Sequence, residues 1–169
     1  MLKIESRDIS YEGCKTPSEK RKIEHFSAYE LCKDMLFSYF GIENPVFEKT
    51  PNGKPFIDNG IAFFSISHTK NRVYCAVSDK NIGIDAEFLS DRCDEKIQKF
   101  ANRFFAEKEI EFIEKEGFSE KAFFEVWTKK EAYIKLKDLT LADIKKIDTS
   151  KLNIRTYTDG KYTVSIAEE

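Results

Sequence analysis

Gly83-Ile84-Asp85-Ala86-Glu87 places two carboxylates two residues apart inside an apolar, strand-forming run. Side chains two apart on a strand share a face, so Asp85 and Glu87 project side by side. Like charges at that spacing repel, unless both face water at a strand end or a cation lies between them. Toward the C-terminus, Trp127-Thr128-Lys129-Lys130-Glu131-Ala132-Tyr133-Ile134-Lys135 carries a third carboxylate on a helix, flanked by lysines. Glu131 and Lys135 stand at i, i+4 and share a face, with Trp127 one turn earlier. As a surface ion pair beside a core tryptophan they would contribute only about 0.3–0.5 kcal/mol. Three acidic oxygen donors with lysines close by also suit a magnesium-held diphosphate. Magnesium takes a few carboxylates and lets substrate phosphates complete its octahedron.

Toward the N-terminus, Phe64-Ser65-Ile66-Ser67-His68-Thr69 ends a strand-like run in hydroxyls and a histidine. Ser67 and Thr69 can donate to a phosphate, and His68 can add charge when protonated. Lys54 sits in the turn Pro51-Asn52-Gly53-Lys54-Pro55, where Asn-Gly tolerates positive φ and each proline fixes its own, so the turn can hold the cation in place. The plain alternatives are an inert loop histidine and an ordinary surface lysine.

The intervening pattern is mixed. Lys3–Ser6 can open a short strand, and Gly13 to Ser18 reads as loop. Ile23, Phe26, Ala28, Leu31, Met35, Leu36 and Phe40 recur at helical spacing up to Gly41. At the start of that helix Ser18 is followed three residues later by Arg21, which is no capping box. Asp58-Asn59-Gly60 is a second turn, and Ile61–Ile66, Arg72–Val77 and Ile82–Glu87 read as strands. In the middle strand Val73, Cys75 and Val77 share one face, Tyr74 and Ala76 the other. After Ser90, Ile97, Phe100, Ala101, Phe104 and Phe105 form a helical stripe. A further helix runs over Glu107–Glu116, and another begins at an N-cap Ser119 and reaches Lys137. Asn153–Ala167 reads as a hairpin turning at Asp159-Gly160. This order gives an α+β fold of two small lobes, residues 1–90 and 91–169.

With 169 residues, the chain can bury one substantial core or two packed lobes. Its 28 basic and 30 acidic side chains give a net charge of −2, without the basic excess that non-specific nucleic-acid binding uses. Cys14, Cys32, Cys75 and Cys93 form no C-x-x-C pair, so they read as reduced thiols rather than a zinc or redox site. The N-terminal residues lack a signal-peptide apolar core, and no run approaches the ~20 apolar residues of a membrane span. A cytoplasmic protein without membrane or nucleic-acid partners is expected.

Taken in order, Gly53-Lys54-Pro55, Phe64-Ser65-Ile66-Ser67-His68, Gly83-Ile84-Asp85-Ala86-Glu87, Arg103-Phe104-Phe105 with Glu109, and Trp127 to Lys135 resemble the 4′-phosphopantetheinyl transferases of the surfactin-synthetase-activating (Sfp) type. The resemblance spans residues 53 to 135. It implies a pseudo-dimeric α+β fold of two similar lobes, acting as a monomer with the site between them. It also implies transfer of the phosphopantetheine arm of coenzyme A to a serine of an apo carrier protein, releasing adenosine 3′,5′-bisphosphate. Asp85, Glu87 and Glu131 would be the ligands of Mg2+. Lys135 would contact the diphosphate with Lys130 close by. Ser67 and His68 would hold the coenzyme's 3′-phosphate, helped by Lys54 and Pro55. Glu109 and Glu131 would be rival acceptors of the serine proton. The chain departs from this class in having Lys137-Asp138-Leu139-Thr140 where a glycine-bearing loop is expected.

Three rival readings stand beside it. A non-catalytic relative that binds carrier or coenzyme A would not need all three acids and both motif lysines. A kinase-like magnesium enzyme would call for a G-x-x-x-x-G-K-[ST] loop, which the sequence lacks. In a structural module the charges would be solvated faces.

Overall fold

Strand β1 (Leu2–Asp8), helix α1 (Pro17–Phe40) and the hairpin of β4 (Phe63–Thr69) and β5 (Arg72–Ser78) make the first half of the chain. The computed structural model describes residues 1–58, 60–90 and 94–169. Asn59, the centre of an expected turn, and Cys93, one of the expected free thiols, lie outside the described residues. So does the start of the expected second lobe at residue 91. A small antiparallel pair, β2 (Phe47–Lys49) and β3 (Pro55–Ile57), is inserted after α1.

The second half repeats the plan. Strand β6 (Ile82–Phe88) is followed by helices α2 (Asp94–Phe104), α3 (Glu107–Lys115) and α4 (Glu120–Lys137). Two 3₁₀ turns, Leu141–Lys146 and Thr149–Lys151, lead to the hairpin of β7 (Arg155–Asp159) and β8 (Tyr162–Glu168). Each half orders its antiparallel strands with the last in the middle, β1-β5-β4 and β6-β8-β7. A strand–helix–hairpin unit therefore occurs twice, which is the α+β, two-lobed architecture.

Strand pairing bears on the expected division at residue 90. β6 pairs with β8, Asp85 opposite Ser165 and Glu87 opposite Thr163, so the carboxylate strand belongs to the second sheet. By strand pairing the halves change over in the 79–81 turn. Periodicity identifies a strand, but its partner is chosen by non-local packing.

Local signals explain most boundaries. Thr16 caps α1 by accepting from Glu19 N at 3.2 Å, and Glu19 Oε2 accepts in return from Thr16 N at 2.8 Å, with Pro17 in the first turn. The sequence Thr16-Pro17-Ser18-Glu19 is the capping box that a reading starting from Ser18 passes over. Gly41 ends the helix at φ 66°, where its lack of a Cβ removes the steric penalty. Ser119 caps α4, as the sequence predicts, by accepting from Ala122 N.

β5 is buried on both faces. Val73, Cys75 and Val77 pack against Leu31, Cys32 and Met35 of α1, while Tyr74 and Ala76 join Ile82, Ile84, Val164 and Ile166 of the second sheet. The alternation read from the sequence thus serves two cores. The second core places β6 close to the first sheet, beside β4.

Candidate active site

Along β6, Ile84 and Ala86 enter the core shared with β5, so Gly83, Asp85 and Glu87 take the opposite face, toward α4. At Gly83 that approach is extreme: a Cβ there would lie 1.9 Å from Ala132 O and 2.6 Å from Leu136 N. The helix rests on bare strand backbone, and Glu131 and Lys135 are thereby brought beside the strand's carboxylates.

Lys135 reaches from α4 to both neighbouring strands. Its ammonium donates to Asp85 Oδ1 at 2.8 Å, Ile84 O at 3.0 Å and Ile66 O at 3.2 Å. Ser67 Oγ donates to the same Asp85 Oδ1 at 2.9 Å, and Thr69 Oγ1 donates to Glu87 Oε2 at 3.3 Å. Asp85 is 6 % exposed and its Oδ2 is buried without a partner. The carboxyl of Glu131 is pushed up to about 7, first by burial and then by facing Asp85 and Glu87, with Lys135 opposing. Three carboxylates that feel one another, one with an orphaned buried oxygen, form an oxygen-only set that suits a hard divalent cation. Among the described residues no three such side chains stand already closed into a cage.

Lys130 and Glu109, expected beside the diphosphate and as a proton acceptor, pair with each other outside this group. Lys130 is fully buried and Glu109 is 2 % exposed, and they pair at 2.8 Å. Lys130 also donates to Ile144 O and Ile147 O, and Glu109 accepts from Ala106 N, Thr149 N and Thr149 Oγ1. The pair fastens the 3₁₀ segment onto α3 and α4. Neighbours on a helix are rotated by about 100°, so Lys130 turns away from the face that carries Glu131. Replacing Lys130 with methionine leaves a buried, uncompensated carboxylate, and we expect a loss of about 3–5 kcal/mol in urea unfolding. A loss under ~1 kcal/mol would show that the pair is not the fastener described.

Ser67 and His68 are separated as well. Ser67 points to β6, whereas His68, the next residue on the strand, faces α1 with Nδ1 3.6 Å from Glu24 Oε2. Adjacent strand residues face opposite ways, so these two side chains leave β4 on opposite faces.

Lys54 is half-buried and donates to Asn81 Oδ1 at 2.7 Å and Leu136 O at 3.2 Å; burial chiefly lowers its pKa. Its turn is docked on the end of α4 through Thr50 Oγ1 to Asp138 Oδ1 and Asn52 Nδ2 to Asp138 O. Thr50, Asn52, Asn81 and Asp138 carry no catalytic signature in sequence, and only their long-range contacts reveal them as supports. Lys54 and Pro55 border two cavities. One of about 790 Å³ also meets Phe64, Lys80 and Lys137; the other, about 220 Å³, meets Ile66 and Lys135.

A family model described as the 4′-phosphopantetheinyl transferase superfamily matches residues 81–169, starting at the turn that leads into β6. The chain is 43 % identical over 95 residues to the 4′-phosphopantetheinyl transferase gsp of Aneurinibacillus migulanus, covering 55 % of this chain and 38 % of that protein. It is 32 % identical over 127 residues to HetI of Nostoc sp., named likewise, covering 70 % and 53 %. To Sfp of Bacillus subtilis, also so named, it is 29 % identical over 119 residues, covering 69 % and 50 %. The chain therefore spans about half the length, or less, of these curated relatives.

Proposed function

The chain belongs to the 4′-phosphopantetheinyl transferase superfamily, and from that premise we propose that it moves the phosphopantetheine arm of coenzyme A onto a serine hydroxyl of an apo carrier protein. Adenosine 3′,5′-bisphosphate would leave. The observation that carries the proposal is the convergence of Asp85, Glu87 and Glu131 beside Lys135, with Asp85 Oδ2 buried and unpartnered.

Asp85, Glu87 and Glu131 would hold Mg2+, which when bound supplies neutralisation of the diphosphate. Lys135 fixes Asp85 and adds a second positive charge at the same place. Lys54 and Pro55, which share the smaller cavity with Lys135, would face the coenzyme's phosphates. Displacement at phosphorus depends mainly on positioning and charge compensation, which this set of groups can provide. A serine hydroxyl also needs a proton acceptor. Of the two candidates, Glu109 is closed off by Lys130 and Thr149, so the role falls to Glu131.

Both strand–helix–hairpin units lie in one chain, which supports action as a monomer. Among the described residues no helix is long and apolar enough to cross a membrane. A cytoplasmic location, where coenzyme A and apo carriers meet, is part of the proposal.

Incubation with Mg2+, coenzyme A and apo carriers of the fatty-acid, polyketide and peptide-synthetase kinds should raise the mass of at least one carrier by a single phosphopantetheine group. A chelator should stop the reaction and excess Mg2+ restore it. Unchanged intact masses across the panel would sink the transferase reading.

A further inference from the structure

On β8, the strand paired with β6, Tyr162, Val164 and Ile166 enter the core shared with β5. Thr163, Ser165 and Ala167 therefore face α4, as Asp85 and Glu87 do, and Ala167 packs there against Ala132 and Leu136. Register sets Thr163 directly opposite Glu87 and diagonal to Asp85. Opposed residues on one face keep their Cβ atoms about 4.5–5.5 Å apart, and diagonal ones lie within about 8 Å. The other hydroxyls flanking these carboxylates are engaged. Ser65, Ser67 and Thr69 of β4 accept from the amides of Ile84, Ala86 and Phe88 at 3.0, 3.2 and 3.3 Å. Ser165 Oγ lies 2.7 Å from both Thr128 Oγ1 and Thr156 Oγ1. Thr163 is different: it is 2 % exposed, and its Oγ1 has no hydrogen-bond partner. Among the described residues Asp85 Oδ2 shares that condition. A buried polar group without a partner calls for an explanation, and here two of them stand on one face of two paired strands.

We infer that Thr163 is a positioning residue of the proposed cation site, its hydroxyl joining a water of the bound cation to the carboxylate of Glu87. The inference rests on the proposed metal-dependent transfer. Magnesium takes few carboxylates and keeps several of its waters, each of which must find an acceptor. A hydroxyl can accept from such a water and still donate its own proton to a carboxylate. Thr163 stands where both are in reach, and the protein alone satisfies neither capacity. Without a cation the buried hydroxyl is a liability, because its desolvation is not offset by a hydrogen bond. With one, it acts as an outer partner of the kind that typically governs metal affinity by about 10–100-fold.

Thr163→Val tests this, because stability and cation binding should move in opposite directions. Without metal the variant should melt at or above the parent, since an apolar side chain of similar shape removes a buried, unsatisfied hydroxyl. Mn2+ titrated into the purified protein without coenzyme A, and followed by electron paramagnetic resonance, should bind at least about tenfold more weakly. Thr163→Ser keeps the hydroxyl and should bind Mn2+ within about threefold of the parent. A lower metal-free melting temperature in Thr163→Val would show that the hydroxyl serves the fold. Parent-like Mn2+ binding in that variant, or an equal loss in Thr163→Ser, would show that it serves no cation. Any of these three results overturns the positioning role and leaves the transferase reading standing. A parent protein that binds no Mn2+ would overturn the metal site and this inference together.

Discussion

Glu131→Gln should abolish the proposed transfer to carrier protein, by more than about a hundredfold, without lowering the melting temperature. The loss would follow from removing one of the three carboxylates proposed to hold a cation that neutralises the diphosphate, a contribution of several kcal/mol at ~1.4 kcal/mol per tenfold. The retained stability follows from the sign of the proton linkage. Folding raises the Glu131 carboxyl from 4.5 to about 7, so the folded state holds that proton more tightly than the unfolded chain. Its contribution to stability is complete below 4.5 and is lost as pH rises through about 7. Glutamine keeps the neutral form at every pH, so at pH 8 the metal-free variant should melt at or above the parent. Addition of Mg2+ should raise the parent's melting temperature and leave the variant's unchanged. Near-normal turnover would remove Glu131 from the site. A large fall in melting temperature would make its role structural.

Gly83→Ala is the second large expected effect, and here stability and activity should fall together. A methyl group at this position would meet two backbone atoms of α4, at 1.9 Å and 2.6 Å, and backbone cannot rotate aside as a side chain can. The helix must lift from β6, which costs more than about 3 kcal/mol by the usual scale of overpacking and strain. Lifting α4 also moves Glu131 and Lys135 away from Asp85. Accordingly we expect the purified variant to unfold at distinctly lower urea concentration and to lose transfer even where it remains folded. Ala86→Gly, on the opposite face of the same strand, should cost stability while retaining transfer. If Gly83→Ala behaved like the parent in both measurements, the close approach of helix and strand would not govern the site.

The two effects show how differently parts of the molecule are written in the sequence. Asp85 and Glu87 announce themselves by a spacing of two, and Glu131 with Lys135 by a spacing of four. These are local geometries that any strand or helix imposes. Gly83 stands in the same short stretch, yet no local rule explains it; its reason is Ala132 and Leu136, far along the chain. Thr16 to Glu19 is a local capping-box pattern, yet a reading that starts the helix at Ser18 passes over it. Lys130 was not legible: beside Glu131 in sequence it resembles another phosphate ligand, and only the burial of Glu109 shows that it points inward.

The sequence by itself determined the kinds of element, the two-sided burial pattern of β5, the donor chemistry of the carboxylates and the family resemblance. All of these follow from short-range periodicity and from what each side chain can bond. The tertiary structure alone decided that β6 pairs with β8, that a row of hydroxyls joins β4 to β6, and that Lys135 rather than Lys130 meets Asp85. Periodicity says which residues share a face. What that face meets is settled only when non-local packing selects one arrangement of strands and helix, and the chemistry of this site depends on that choice.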